Sequence, residues 1–378
     1  MASHMGKAPE HAGVALPPFN LVLLATVVTL IPPPAPFGGR YRLSPLMLQQ
    51  HTRGRRRPRR IKSSAMVAKN SPEDDDHVFS IEEKSVQFED GFRMRYFYSA
   101  GKGPLAGKRP PIVFLHGSFH SGWCFAEKTT RPAAFSDLTR TSESPDPLFP
   151  DVKGVPNIEQ HVVDVLRFNR VMNISERLPI LAAHSFGGMV AMKTIQGNLD
   201  KFSAVALFCS VPPSGNGPMT KRFIDTRGWE VTWDITRGFV LKDAAQQPQL
   251  CKKFFFSEDM DDDKVLRYMQ EHFRKDSNSF IDLQSVLRRL PVETSKMSDN
   301  GKTAAWAMES SKIAATASDK VLVFGAKNDF LVDDEGVVET ARFLNVDDDE
   351  IVWLEGAHDV MLDVGWKENA ERFLEKLQ

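Results

Sequence analysis

Three residues in this chain have the types and the order needed for nucleophilic catalysis: Ser185, Asp329 and His358. Each lies shortly after a short apolar run of the kind that forms a buried strand. The runs are residues 179–183, 321–325 and 351–354. A histidine can take the proton of a serine hydroxyl while a carboxylate holds its imidazole in the right tautomer. The pattern therefore predicts a triad with Ser185 as nucleophile, His358 as base and Asp329 as the orienting acid.

The residues around Ser185 predict a sharp turn between a strand and a helix. Apolar residues precede the serine, and a helical pattern follows it to about residue 195. Such a turn is crowded, so the positions two before and two after the nucleophile must be small. Gly187 meets this requirement, and Ala183 stands where the pattern usually has glycine. The turn would expose the serine hydroxyl at its apex.

A second loop predicts the groups that would stabilise negative charge. The apolar run 111–115 is followed by His116, Gly117 and Ser118. Two N–H groups must converge on the oxygen of a reacting carbonyl, one from this loop and one from the residue after the nucleophile. We therefore expect an oxyanion hole formed by the backbone N–H groups of Ser118 and Phe186. A glycine before Ser118 would let the chain bend close to the nucleophile.

Other residues that carry reactive groups fit less specialised roles. His116 and His120 are four residues apart, but they lie in a predicted loop without a further ligand cluster, so no metal site is expected. The cysteines have neither paired nor metal-ligand spacing and predict reduced structural thiols. They are Cys124, Cys209 and Cys251. Asp333 and Asp334, close to Asp329, predict helix-capping charges.

Strand and helix signals alternate along most of the chain, which predicts an α/β fold. Residues 78–88 and 92–98 alternate apolar and polar positions and predict a β-hairpin. The wholly apolar runs predict central strands of a mostly parallel sheet that is covered on both faces by helices. Only about twenty residues separate Trp123 from Ser144. We therefore expect a shortened helix there, followed by a short strand within residues 133–138.

The alternation breaks over residues 214–317, where aromatic residues are scattered among charged ones. Within this stretch, residues 262–273 predict an amphipathic helix. We expect a helical cap, or lid, inserted over the site, with residues 73–213 and 318–378 forming the core domain. Most of the aromatic residues would pack inside the cap. The three phenylalanines at 254–256 are the candidates for selecting a bulky apolar substrate.

The first 72 residues differ from the rest of the chain in charge. They hold eleven Lys and Arg against one acid, Glu10, whereas the whole chain has a net charge of −1 and its remainder is acidic. Residues 1–5 (MASHM) resemble a cloning remnant. The apolar run 21–31 is too short to span a bilayer, and an arginine cluster at 53–60 follows it. This composition predicts an unfolded, two-part plastid-targeting leader, with a plain basic tail or a nucleic-acid arm as alternatives.

From about Val78 to its end, the chain resembles the α/β-hydrolase superfamily, and within it the plastid-targeted hydrolases of plants and algae. The segments that carry this resemblance are HGSFHSGWC, HSFGG, CSVPPSGN, NDFLVD and AHDVMLD. The order serine, acid, histidine is also the order of this fold's triads. The resemblance implies an α/β-hydrolase fold with a helical cap insertion. It also implies hydrolysis of a carboxylic ester through an acyl-enzyme, without a cofactor.

Two alternatives to an ester hydrolase stay open at this point. A hydroxynitrile-lyase-like or C–C-bond-cleaving member of the fold would keep the same triad, and a receptor-like binding protein would keep it with little turnover. A serine nucleophile argues against the dehalogenases and epoxide hydrolases of the superfamily, which use aspartate at that position. We expect a small-molecule substrate that is a bulky, apolar ester, no nucleic-acid partner, no transmembrane segment and a plastid location.

Overall fold

The computed structural model describes the parts of the chain that form the sheet, most of its helices and the site. These parts are residues 81–88, 93–99, 109–126, 133–136, 158–171, 177–276 and 320–377. The predicted leader, residues 1–72, lies outside them, as does the turn region at residues 139–145.

One eight-stranded sheet runs through the described part of the chain. Its strands are β1 (Ile81–Gln87), β2 (Arg93–Ser99), β3 (Ile112–Leu115), β4 (Ala133–Ser136), β5 (Ile180–His184), β6 (Ala204–Phe208), β7 (Val321–Ala326) and β8 (Val352–Leu354). Their order across the sheet is β1-β2-β4-β3-β5-β6-β7-β8. β1 pairs antiparallel with β2, and β2 with β4, whereas all other neighbours are parallel. The predicted hairpin and the mostly parallel sheet are confirmed.

Helices connect most of these strands. They are α1 (Trp123–Ala126), α2 (Ile158–Val171), α3 (Phe186–Ile195), α4 (Asn216–Val240), α5 (Pro248–Phe255), α6 (Asp262–Tyr268), α7 (Asp334–Phe343) and α8 (Trp366–Lys376). A π-helical turn, Met269–Phe273, continues α6. The expected short helix after the oxyanion loop is α1, which begins at Trp123, and residues 127–132 lie outside the described part. No helix in the described ranges is both long and apolar enough to cross a bilayer.

The central strands divide their side chains between two hydrophobic clusters. In β5, Leu181 and Ala183 join one cluster, whereas Ile180 and Ala182 join the other. Successive side chains of a strand point to opposite faces, so a strand covered on both faces must be apolar throughout. The apolar runs 111–115, 179–183 and 321–325 accordingly form the central strands β3, β5 and β7, whereas the run 351–354 forms β8 at the edge of the sheet.

Helices α4, α5 and α6 lie between β6 and β7, in the stretch where the sequence predicts the cap. Phe254 and Phe255 of α5, Tyr268 of α6 and Phe273 of the π-helical turn are fully buried. All four belong to the same hydrophobic cluster as Ile180 and Ala182. These helices therefore share a core with one face of the sheet.

A pair of charged groups attaches α4 to the segment that follows β7. Arg222 donates two hydrogen bonds of 2.7 Å to the Asp333 carboxylate. The same carboxylate accepts the Gly336 N–H at the start of α7. Asp333 is thus the N-cap of α7, which confirms its predicted capping role. Its bidentate pair with Arg222 also attaches α4, a helix of the predicted cap, in a geometry that favours specificity.

Candidate active site

Ser185 occupies the turn between β5 and α3, as its sequence context predicts. Its backbone has φ 55° and ψ −124°, a left-handed φ that residues other than glycine seldom adopt. Hydrogen bonds hold the turn, from the Ser185 N–H to the Phe208 oxygen (3.0 Å) and from the Gly188 N–H to the Ser185 oxygen (2.9 Å). Strain of this kind persists where the surrounding structure enforces it, and it occurs most often at active sites.

Two glycines let the loop after β3 lie directly against this turn. A Cβ atom on Gly117 would lie 2.7 Å from the Cβ of Ser185, and one on Gly187 would lie 2.5 Å from the His116 oxygen. Any larger residue at either position would force the two segments apart. The absence of these side chains brings Ser118, the residue after Gly117, beside the nucleophile.

A continuous hydrogen-bonded chain joins the three predicted triad residues. The Ser185 Oγ lies 3.0 Å from the His358 Nε2, and the His358 Nδ1 lies 2.8 Å from the Asp329 Oδ2. An ionised carboxylate only accepts hydrogen bonds, so the Nδ1 of His358 carries the proton. The Nε2 is then free to accept the serine proton, which is the arrangement that general-base catalysis requires.

The loop after β7 aims the Asp329 carboxylate at the histidine. The backbone N–H groups of Leu331 and Val332 donate to its Oδ1 over 2.8 and 2.9 Å, which leaves the Oδ2 for His358. The thiol of Cys209, at the end of β6, also hydrogen-bonds Asp329. Burial and the charge of Asp329 raise the pKa of this thiol well above its ordinary value. Cys209 therefore stays protonated and acts as a donor to the carboxylate.

The loop that carries His358 is held by a carboxylate further along the chain. Asp363 is fully buried and accepts the Ala357 N–H (2.7 Å) and the Ser257 hydroxyl (2.6 Å). The Ser257 N–H also donates to it. Because Ser257 follows α5, Asp363 attaches the histidine loop to the helices of the predicted cap.

His184, the residue before the nucleophile, hydrogen-bonds the backbone of the base, His358. Its Nε2 donates a 2.9 Å hydrogen bond to the backbone oxygen of His358. Burial lowers the pKa of His184 to about 3, and the neighbouring His358 acts in the same direction. His184 is therefore neutral, and its single hydrogen-bonded proton fixes the position of the His358 backbone.

Of the predicted oxyanion residues, Phe186 directly follows Ser185, and Ser118 directly follows Gly117, which lies against Ser185. Phe186 is the first residue of α3, so its N–H has no partner within the helix. Ser118 comes from the facing loop, where the next residue, Phe119, has φ 66°. The structure thus brings Ser185, Asp329, His358 and the two backbone donors into one region, although they come from four separate loops.

Comparison with known proteins places this arrangement in a family. The model of the alpha/beta hydrolase family matches residues 112–375. The chain belongs to the α/β-hydrolase family. A search among curated protein sequences finds no match, so the family assignment rests on the family model and on the fold.

Solved structures share the fold of this hydrolase at low sequence identity. The haloalkane dehalogenase DatA from Agrobacterium tumefaciens C58 is 17% identical, over 79% of this chain and 97% of that one, with a TM-score of 0.51. A thermophilic esterase from Thermogutta terrifontis is 14% identical, over 78% and 98%, with a TM-score of 0.50. A membrane phospholipase A is 16% identical, over 79% and 86%, with a TM-score of 0.50. Such identities show the fold alone.

Among the residues that the structure describes, one group of side chains could together ligate a metal ion, and its members are already engaged in the site. His184, Cys209 and His358 present ligand atoms within 4.8 Å of one another. Both ring nitrogens of His358 are hydrogen-bonded, and the thiol of Cys209 is held protonated. Of the two loop histidines, His116 places its Nδ1 2.8 Å from the Gly117 oxygen. This set of donors fits a proton-transfer site better than a metal centre.

Of the three phenylalanines at 254–256 that were predicted to select the substrate, one lies beside the site. The Phe254 ring packs against Phe330, in the loop after β7, at 5.5 Å, and the Phe256 ring packs against Tyr268 of α6 at 6.0 Å. The Phe255 ring lies 6.3 Å from the His358 ring. For two of the three phenylalanines, the structure therefore favours internal packing over substrate contact.

Sequence reasoning did not identify His184, Cys209 and Asp363 as parts of the site. Cys209 was interpreted as a structural thiol. Its place directly after β6, at the same edge of the sheet as Ser185, was the signal that could have identified it. For His184 the signal was its position next to the nucleophile. For Asp363 the chain offers only its closeness to His358.

Proposed function

We propose that this protein hydrolyses a carboxylic ester through a covalent acyl-serine intermediate. The observation that carries the proposal is the unbroken chain from the Ser185 Oγ through His358 to Asp329, with spacings of 3.0 and 2.8 Å. Support comes from the strained turn at Ser185 and from the two backbone N–H groups beside it. The family in which the chain is placed hosts many chemistries, so the argument rests on the site itself.

In the proposed mechanism, His358 takes the proton of Ser185 as the serine oxygen attacks the ester carbonyl carbon. The N–H groups of Ser118 and Phe186 stabilise the negative charge that develops on the carbonyl oxygen. His358 then gives the proton to the departing alcohol, and the acyl group stays on Ser185. Water, deprotonated by His358, releases the acid and restores the serine. Asp329 stabilises the imidazolium at each step without being protonated.

Covalent labelling with a fluorophosphonate, followed by a panel of simple aryl esters, tests this proposal. Ser185→Ala should lose both labelling and turnover. Ser118→Ala is the matched control, because it removes a hydroxyl but keeps the backbone N–H, and it should retain both. Labelling that survives in Ser185→Ala would identify a different nucleophile. Binding of esters with negligible turnover would favour a receptor, and release of an aldehyde or ketone from a carbon–carbon cleavage would favour a lyase.

We further propose that the ester is apolar in its acyl part. Phe119, next to the oxyanion residue, packs against Phe239 of α4 at 5.2 Å and against Phe255 at 5.8 Å. These rings form an aromatic wall at the site, and Phe239 is only partly buried. Each buried methylene contributes about 0.8 kcal/mol, so kcat/KM should rise about fourfold per methylene as the acyl chain lengthens. Phe239→Ala should flatten this series and Phe256→Leu should not; a series that falls beyond acetate would contradict the proposal.

We also propose, from composition alone, that residues 1–72 direct the protein to a plastid. The Arg-rich, acid-poor character of this segment is typical of transit peptides. A fluorescent protein fused after residue 72 should enter plastids, and diffuse cytosolic fluorescence would contradict the proposal. Replacing the arginines at 53–60 by glutamine should abolish import.

A further inference from the structure

A second histidine–carboxylate pair lies behind the site, in positions that the proposed mechanism does not use. His120, in the loop between β3 and α1, places its Nε2 2.8 Å from the Oδ2 of Asp359, the residue after His358. The two side chains are 1% and 0% exposed. The other ring nitrogen of His120, the Nδ1, lies 2.7 Å from the backbone oxygen of Ser118.

The partners of His120 determine its protonation state. A backbone carbonyl oxygen can only accept a hydrogen bond, and an ionised carboxylate can only accept one as well. With the Asp359 carboxylate as acceptor, both ring nitrogens donate and His120 is an imidazolium. Burial by itself would lower the pKa of His120, but the charge of Asp359 and the hydrogen bonds to Asp359 and Ser118 outweigh it and raise the pKa.

The groups around this pair suit a buried cation. The Trp123 ring is stacked at 5.6 Å from the His120 ring, and the Phe255 and Phe273 rings lie 5.7 and 5.0 Å away. Aromatic faces attract a cation electrostatically, and the attraction is strongest where water is absent.

The other titratable groups near the pair do not compete for its charge. His184, whose Nε2 is 3.9 Å from the Asp359 Oδ1, is neutral. His272 stacks on Trp123, and burial lowers its pKa to about 4. Asp276 accepts the Trp123 indole N–H and, as a further negative charge, also favours the charged form of His120.

The pair connects three parts of the site. Through Ser118, His120 holds the backbone just before Phe119, whose φ of 66° is unfavourable for a residue with a side chain. Through Asp359, it reaches the residue adjacent to the base. The Asp359 N–H in turn donates a 3.0 Å hydrogen bond to the backbone oxygen of Phe255, at the end of α5.

We propose that His120 and Asp359 form a positioning pair, a buried imidazolium–carboxylate contact that holds the oxyanion loop in register with the loop of His358. The pair has no part in proton transfer to or from the substrate, because the two His120 nitrogens face Asp359 and the Ser118 carbonyl rather than Ser185. It fixes the Ser118 carbonyl, and with it the turn whose Ser118 N–H would receive the oxyanion. The inference rests on the proposed function, since it assigns a role within that same site.

Nitrogen-15 labelling of the histidines tests the protonation state without any substrate. In the Ser185→Ala protein at pH 7.5, His120 should show protons on both ring nitrogens, assigned by their loss in His120→Gln. His184 and His272, predicted to be neutral, serve as internal references. A single protonated nitrogen on His120 would overturn the proposal, whatever the catalytic activity of the wild-type protein turns out to be.

Three variants test the positioning role with an aryl ester. Asp359→Asn keeps both hydrogen bonds, because the amide can donate to a neutral His120 whose Nδ1–H still meets Ser118, so kcat should stay within threefold of wild type. The double variant His120→Phe/Asp359→Leu removes the pair without leaving a lone buried charge. It should lower kcat at least tenfold with KM within twofold, because only the transition state uses the oxyanion hole.

His120→Gln provides the same test if the double variant does not fold. Its single side-chain amide cannot donate to both the Ser118 oxygen and the Asp359 carboxylate, as the imidazolium does. Its kcat should fall while that of Asp359→Asn does not. Wild-type kcat in the double variant, or in His120→Gln, would overturn the proposal. If the wild-type protein turned over no ester at all, the proposed function would fail, and the nitrogen-15 measurement would still decide the state of the pair.

Discussion

The two histidine–carboxylate pairs of this molecule have the same residue types and the same 2.8 Å spacing, yet their surroundings assign them different roles. His358 meets Asp329, and His120 meets Asp359. In the first pair, the second ring nitrogen faces a serine hydroxyl, which has a proton to give. In the second pair it faces a backbone carbonyl, which has none.

In a buried His–Asp pair, one ring nitrogen faces the acid, and the partner of the other ring nitrogen determines what the pair can do. A pair whose second nitrogen is a free acceptor can move a proton, and such a pair belongs at the reacting atoms. A pair whose nitrogens both donate is locked in its charged form and can only hold structure in place. The distance between the histidine and the acid does not distinguish these cases.

The largest difference between the pairs should appear on replacing the histidines. His358→Gln should reduce kcat for an aryl ester by about 10⁵-fold or more, because it removes the base that acts with the nucleophile as a unit. His120→Gln should reduce kcat by only about ten- to a hundredfold, since the donors of the oxyanion hole are loosened but not removed. Steady-state kinetics on both variants would measure the gap. Comparable losses would mean that the two pairs do not differ as proposed.

The acids should differ in the same direction, by a smaller factor. Asp329→Asn should lower kcat by about 10⁴-fold, because the amide donates to the Nδ1 of His358 and imposes the wrong tautomer. Asp333→Asn is the matched control on the same loop. It should leave kcat within threefold and reduce the free energy of unfolding by about 1 kcal/mol, because the amide caps the helix as well as the acid does but loses the charged pair with Arg222. A larger kinetic loss in Asp333→Asn would mean that the acid has been misassigned.

A third carboxylate, Asp363, accepts hydrogen bonds from N–H and O–H donors of the His358 loop and of Ser257, and it contacts no histidine among the described hydrogen bonds. Asp363→Asn would turn one of its acceptor oxygens into a donor that faces the Ala357 or Ser257 donors. We expect kcat to fall about tenfold and the free energy of unfolding to fall by about 2 kcal/mol, the range for leaving a buried group unpaired. Ser257→Ala should cost about 1 kcal/mol and leave kcat within twofold; urea unfolding and ester kinetics would separate the two.

Replacing His184 should have the smallest effect on activity, but it should change how the free energy of unfolding depends on pH. Its pKa of about 3 lies below the unfolded value of 6.5. The stability from its neutral burial is therefore complete above pH 6.5 and is lost as the pH falls toward 3. Against His184→Gln, which does not titrate, wild-type stability should decline by about 2 kcal/mol more between pH 6.5 and pH 5. His120, with a raised pKa, should show the opposite sign, losing its contribution as the pH rises. Parallel curves for wild type and His184→Gln would contradict this.

The sequence allowed the triad and the oxyanion loop to be predicted because each lies directly after an apolar strand. In a parallel sheet the carboxyl ends of the strands meet at one edge, so Ser185, Asp329 and His358 had to be neighbours. The pairing of His120 with Asp359 could not be predicted in this way. It depends on which way two loop side chains turn after the loops have met, and no local pattern reports that.

Secondary-structure elements could be predicted from neighbouring residues, whereas the packing of the predicted cap could not, because it depends on residues far apart in the sequence. The helix after Ser185 was predicted correctly because its pattern is local, and β4 falls within the expected residues 133–138. The prediction that the phenylalanines at 254–256 contact the substrate was less reliable. Composition shows that a segment is aromatic, but burial of Phe254 and Phe256 depends on contacts with Phe330 and Tyr268 that only the tertiary structure supplies.

The 239 positions that separate His120 from Asp359 affect the order in which the site forms during folding. A contact between segments so distant along the chain is expected to form late in folding, because the entropy lost in closing the intervening loop must be offset by structure already formed. During synthesis, the oxyanion loop leaves the ribosome long before the residues that hold it. A chain interrupted before β8 would have its nucleophile and neither its base nor this contact. Phosphonate labelling during refolding should therefore follow completion of the whole sheet rather than formation of the turn at Ser185.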